Sequence, residues 1–202
     1  KISMMNGIDG EWGLAMRIDS LKAFPWNMTL GAIQDQELLY ELGEALAHQC
    51  MTMGIHFNFA PVVDVNSNPL NPIINSRSYG EDPINVSEKA LAVMHGMQDF
   101  GVLACAKHFP GHGDTDADSH KTLPIVEHTR EHIDSIDLKP FKRMISGGVA
   151  SVMVAHLNIP ALDSAENRAS TLSPYVVDTM LRQELNFSGL IFTDALNMKG
   201  VS

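Results

Sequence analysis

The sequence is poor in cysteine, in basic residues and in long apolar runs. Of its 202 residues only Cys50 and Cys105 are cysteines, and neither belongs to a CxxC or any other metal spacing. Both read as buried apolar side chains and carry no information about compartment. Lysine and arginine number 14 against 24 acidic residues, giving a formal charge of −10 with nine histidines counted neutral. The few basic residues are scattered, so the chain has no means of releasing counterions along a phosphate backbone, which argues against nucleic acid as a partner. No stretch approaches the roughly 18 unbroken apolar residues that a membrane helix requires, and no charged-then-apolar leader opens the sequence. Neither a membrane span nor an export signal of its own is therefore expected. What is present, 45% apolar and 19% charged residues, is the composition of a globular chain able to bury a core. The opening at Lys1 without methionine, and the stop just after an apolar run, suggest a segment of something longer.

The apolar period switches repeatedly between continuous runs and helical stripes, the pattern of alternating strands and helices. Five runs read as strands: Ile2 to Asp9, Ile55 to Asp64, Val102 to His108, Ser151 to His156 and Leu190 to Asp194. Most are apolar on both faces, as buried parallel strands are. Helices are expected over about 35–53 with Leu38, Leu39, Leu42, Leu46 and Met53 on one stripe, and over about 85–100 with Ala90, Met94 and Met97 inward. Two more are expected over about 130–146, broken or kinked at Pro140, and from Ser173–Pro174 to near Gly189. No repeat or linker interrupts the pattern, so 1–202 reads as a single domain.

Each strand candidate closes on an ionisable side chain: Asp9, Asp64, Lys107 with His108, His156 and Asp194. One such residue would be a strand terminus entering solvent. Five in succession are what a (β/α)8 barrel of the TIM type predicts, because its active site is built at the C-terminal ends of the strands. A doubly wound sheet would place its site only at the switch point. Two long loops, 65–82 and 109–129, follow such strands and are dense in Gly, Pro, Asn, Asp and His.

The loop from Lys107 to His120, KHFPGHGDTDADSH, permits three chemical readings. A calcium loop would need Gly and Glu where Ser119 and Ile125 stand, and is rejected. A metal hydrolase using His108, His112 and His120 with the aspartates lacks any common ligand spacing. The third reading is a catalytic Asp-x-His pair, Asp118 and His120, in which the carboxylate orients an imidazole that serves as acid and then as base.

That loop, with Ile8-Asp9-Gly10-Glu11-Trp12-Gly13 upstream, Asn75-Ser76-Arg77-Ser78-Tyr79-Gly80-Glu81-Asp82-Pro83 between and Phe192-Thr193-Asp194-Ala195-Leu196-Asn197-Met198 downstream, resembles glycoside hydrolase family 3. The likeness is to its β-N-acetylhexosaminidase branch, and the motifs span nearly the whole chain in the family's order. The resemblance implies an α/β fold, the N-terminal (β/α)8 TIM-type barrel, of which this chain would be an incomplete central segment, about strands 2 to 7. It implies Asp194 as nucleophile and His120 as acid/base with Asp118 as its partner. Asp9, Arg17, Arg77, Lys107 and His108 match positions that hold the sugar in the −1 subsite. Arg77 has a plainer alternative, neutralising Glu81 or Asp82, and His112 reads as a loop-stabilising residue rather than a catalyst. Trp12 departs from the branch's common Glu-Gly-Gly pattern, and Ala195 stands where relatives often carry a second Asp.

The resemblance further implies a retaining exo-glycosidase releasing terminal β-N-acetylglucosaminyl residues, with a carbohydrate or muropeptide partner and neither cofactor nor metal. A role in cell wall recycling and a lean toward the periplasm come from the same source. The alternatives are a β-glucosidase-type hydrolase of the family, a substrate-assisted route in which the acetamido oxygen is the nucleophile, and a non-catalytic carbohydrate-binding barrel fragment. Among function classes the metal hydrolase comes third, after the glycosidase and the non-catalytic barrel.

Overall fold

The computed structural model describes residues 4–115, 123–198 and 201. Five strands form one parallel sheet in the order β1-β2-β3-β4-β5. They are β1 (Gly7–Ile8), β2 (Phe57–Asn58), β3 (Leu103–Phe109), β4 (Ser151–Val154) and β5 (Leu190–Thr193). All five candidate runs contain a strand, but most of the ladders are shorter than the apolar runs. In the β2 run the ladder stops before Pro61, which has no N–H to give, and resumes as a single bridge between Val62 and Lys107. Parallel neighbours need crossovers, and helices supply them. α1 (Asn27–Leu30) and α2 (Gln36–Thr52) link β1 to β2, α3 (Pro83–Asp99) links β2 to β3, and α4 (Arg130–His132) and α5 (Leu138–Ser146) link β3 to β4. A π-helical segment, Tyr175–Glu184, leads into β5.

The helix boundaries follow from local chemistry. Asp35 caps α2 by accepting from Glu37 N–H at 3.0 Å. Asp82 caps α3 through Ile84 and Asn85 N–H, with Pro83 at the first position, so this helix starts two residues earlier than its apolar stripe. The break expected at Pro140 falls upstream instead, as a π-helical turn over Ile133–Asp137. Pro140 then sits in the first turn of α5, directly after that π-helical turn. The segment expected to reach Gly189 ends at Glu184, and Asn186 behind it takes the left-handed conformation at φ 52°.

The α2 stripe is corrected by one step. Leu39, Gly43, Leu46, Ala47 and Cys50 are its buried residues, whereas Leu38 and Met53 are exposed. Glycine explains the rotation: a Cβ on Gly43 would lie 2.2 Å from Val93 O, and one on Gly96 would lie 2.1 Å from Tyr40 O. Two helix backbones in that proximity tolerate no side chain between them. Ala90, Met94 and Met97 of α3 are fully buried as expected, and so are both cysteines. Inside the core Phe109 of β3 meets Phe141 of α5 edge to face at 5.2 Å. Phe192 of β5 packs edge to face on Phe57 and Phe59 at 5.5 and 5.2 Å. The fifth strand thus curls back toward the second, and the sheet is a parallel half-barrel with its helices outside.

Candidate active site

The C-terminal ends of the strands gather around a cavity of about 100 Å³ lined by Asp9, Glu11, Arg17, Arg77, Lys107, His108, His112 and Asp194, with Met16, Ile73 and Met153 as its apolar wall. A larger hollow, about 440 Å³, lies between α2 and the 21–24 loop and is lined mainly by Leu21, Phe24, Ala45 and Met53. Convergent ionisable groups distinguish the smaller cavity.

Lys107, 2% exposed, is its centre. Its Nζ donates to Asp9 Oδ1 at 2.8 Å and lies 2.8 Å from Glu11 Oε1. Arg77 grips the same Glu11 in a fork, Nε to Oε2 at 2.9 Å and Nη2 to Oε1 at 2.7 Å, and donates from Nη1 to Ile73 O at 3.1 Å. The Arg77 carbonyl accepts from Asn27 Nδ2 at 2.7 Å, which ties its loop to α1. Asp9 carries a second, exposed partner, Arg17, at 3.1 Å.

Burial alone would raise the Glu11 carboxyl. Lys107 and Arg77 outweigh it and hold that carboxyl far below the ordinary range. Asp9 is likewise lowered: burial opposes the shift, and Lys107 and then Arg17 prevail. Burial would strip the proton from Lys107, but Glu11 and Asp9 keep it on and raise its pKa. The cluster is therefore ionised throughout, each charge stabilised by its opposite.

His108 belongs to the same assembly. Its Nδ1 lies 2.7 Å from Asp64 Oδ2, and its Nε2 faces Arg77 Nη2 at 3.3 Å. A carboxylate only accepts and a guanidinium only donates, so Nδ1 carries the proton and Nε2 offers its lone pair. Asp64, fully buried at the end of the β2 run, also accepts from the N–H groups of His108 and His112. Burial raises this carboxyl, but His108 and His112 pull it below its usual value. That Lys107 and His108 are adjacent and both line the cavity requires a break in strand alternation. The register supplies it: Lys107 pairs with Met153 and Phe109 with Val154, so the ladder slips across His108. Gly113 lets the loop beyond continue over Val65, since a Cβ there would lie 1.7 Å from Val65 O.

Asp194 stands at the end of β5, half-buried on the cavity wall, with Oδ1 accepting from Ala195 N–H at 2.8 Å. The structure thus brings together Asp9, Arg17, Arg77, Lys107, His108 and Asp194. Asp118 and His120 lie outside the described residues. Arg77 pairs with Glu11 rather than with Glu81 or Asp82. His112 is buried, with Nδ1 2.7 Å from Thr115 Oγ1, and burial lowers its pKa to about 4. Trp12 packs on Trp26, ring centres 4.1 Å apart.

Sequence reasoning quoted Glu11 within a motif and Asp64 as a strand end but assigned neither a role. It missed Asp137 altogether. This residue, 4% exposed on the π-helical turn, has its carboxyl raised to about 7 by burial and by the nearby Asp64 and Asp114. No sequence signal marks it, because it sits in an ordinary amphipathic stretch.

The family model described as glycosyl hydrolase family 3 N terminal domain matches residues 1–202. The chain belongs to glycosyl hydrolase family 3. Among curated relatives, β-hexosaminidase A of Pseudoalteromonas piscicida is 39% identical over all of this chain, which spans 36% of that protein. Among solved structures, a family 3 β-N-acetylglucosaminidase from Paenibacillus sp. str. FPU-7 superposes over the whole chain with TM-score 0.95 and 42% identity, the chain covering 38% of it. NagZ from Neisseria gonorrhoeae, solved in complex with N-trifluoroacetyl-D-glucosamine, matches 95% of this chain and 58% of its own at TM-score 0.86 and 32% identity. Within the family 3 N-terminal domain, the cavity just described is the group of ionisable residues at the strand ends. No helix among the described residues is long and apolar enough to cross a membrane.

Proposed function

We propose that this site hydrolyses terminal β-N-acetylglucosaminyl residues with retention, through a covalent glycosyl-enzyme. The reading rests on one observation above the others: a half-buried carboxylate, Asp194, opens onto a cavity in which Asp9, Glu11, Arg77 and Lys107 are fixed by one another in ion pairs. Paired carboxylates and guanidinium groups hydrogen-bond neighbouring hydroxyls of a sugar ring, and Lys107 offers a donor for a hydroxyl or acetamido oxygen. Asp194 attacks the anomeric carbon while His120, steadied by Asp118, protonates the departing oxygen. Water then attacks with His120 as base. The names of the hexosaminidase relatives and the glucosamine derivative in the NagZ complex support the choice of sugar. In the same proposal the five strands are the central part of a (β/α)8 barrel in a single domain over 1–202, and the muropeptide or chitin-derived glycan is the partner.

The test is trapping in the native polypeptide that contains this chain. A slow 2-deoxy-2-fluoro or 5-fluoro glycosyl donor should leave a sugar mass on the Asp194 peptide. An unlabelled protein that a thiazoline analogue fully inhibits would replace the covalent route by the substrate-assisted one.

A further inference from the structure

The proposed nucleophile is held by a neighbour that is itself held. Ala195 N–H donates to Asp194 Oδ1 at 2.8 Å, while the Ala195 carbonyl lies 3.2 Å from His156 Nε2. Both polar groups of the Ala195 backbone are thereby committed. His156 is fully buried just beyond β4, and its Nδ1 lies 2.8 Å from Thr171 Oγ1. A carbonyl oxygen can only accept, so Nε2 carries a proton and donates to it, while Nδ1 shares a second hydrogen bond with the Thr171 hydroxyl. Thr171 is anchored in turn through the residue before it. Ser170 Oγ donates to Ala155 O at 2.6 Å and accepts from Leu157 N–H at 3.2 Å, and Ser170 N–H donates to Leu157 O at 2.7 Å.

The brace links the end of β5 to β4. Besides the Asp194 N–H to Val154 O bond at 2.9 Å, the turn carrying the carboxylate is tied to β4 through His156. A misplacement of about 1 Å at a reacting group costs roughly 10²-fold in rate.

We propose that His156, held at Nδ1 by Thr171, is a positioning residue for Asp194. It acts through the Ala195 backbone, lies outside the cavity lining and touches no substrate. The inference rests on the reading of Asp194 as nucleophile. His156→Leu removes the donor, while His156→Gln keeps an amide N–H near the place of Nε2. Thr171→Val removes the hydroxyl, while Thr171→Ser keeps it.

In the native polypeptide, labelling of Asp194 by the fluorinated donor should slow by roughly 10²-fold in His156→Leu and about 10-fold in Thr171→Val, with the Gln and Ser variants regaining most of the rate. The inhibition constant of free N-acetylglucosamine should move by less than about 3-fold throughout, because the sugar-holding groups are untouched. Unchanged labelling in both deleted variants, or a loss of sugar affinity in parallel with the rate, overturns the proposal. Should His156→Leu fail to fold, the Thr171 pair decides by the same criterion. An unlabelled wild type would overturn the Asp194 reading and this inference with it, whereas a labelled wild type with undisturbed variants overturns the inference alone.

Discussion

The two sides of the cavity are built on opposite principles. On the β1 to β3 side, Asp9, Glu11, Arg77, Lys107, His108 and Asp64 are cross-braced, and Glu11, Lys107 and Asp64 are almost wholly buried. On the β5 side Asp194 is half-buried on the cavity wall and accepts from the Ala195 N–H. A group that must hold a sugar gains from being fixed in advance, since desolvated charges with committed partners need no reorganisation when the ligand arrives. A group that must attack cannot have its charge already spent on a cation. On the proposed reading the difference separates holding from reacting, and each side should fail in its own way.

The sharpest break is Asp194→Ala. It should lower turnover by roughly 10⁴-fold or more while changing unfolding free energy by less than about 0.5 kcal/mol. Steady-state kinetics beside urea unfolding would check both halves. Glu11→Ala should do the reverse, leaving Lys107 and Arg77 buried without their shared carboxylate. A destabilisation of about 3–5 kcal/mol in denaturant unfolding is expected, together with a raised KM. An unfolding midpoint equal to that of wild type would mean the braced side is no more rigid than the β5 side.

Asp137 supplies a graded test of the buried side. Its carboxyl is raised in the folded state, so the unfolded chain loses that proton first. Stability on this account is full below about pH 4 and falls as pH rises toward 7, by on the order of 2–4 kcal/mol. Asp64 and Asp114 are the carboxylates that oppose ionisation there. Asp137→Asn should remove that slope and be the more stable protein at pH 8, as thermal unfolding at pH 4 and 8 would reveal. The smallest effect belongs to Arg17→Ala. Its pair with Asp9 is exposed on the arginine and half-buried on the carboxylate, so less than about 1 kcal/mol of stability should be lost, and the loss should shrink further in high salt.

Much of this was legible without coordinates. The five apolar runs each hold a strand because a continuous buried run is a local property of the chain. The ionisable residues at their ends were legible for the same reason. Glu11 was visible in its motif, but its role depends on Arg77, 66 residues away, and on Lys107. The alternative partners of Arg77, Glu81 and Asp82, were nearer in sequence and lost, since Asp82 is occupied in capping α3. The face of α2 was misjudged by one step because the decisive contact, Gly43 against Gly96, involves residues with no side chain to enter a periodicity count.

The sequence by itself determined the class of fold, the order of its elements and the identity of the residues at the strand ends, because hydrophobic period and turn chemistry act over a few neighbouring residues. Only the tertiary structure decided which charges neutralise one another, that a slip in register turns both Lys107 and His108 to the cavity, that Asp137 is buried beside two other carboxylates, and that His156 reaches Ala195. Those outcomes depend on distances between strands and helices remote in sequence, and electrostatic and hydrogen-bond energies are set by distance and burial rather than by position along the chain.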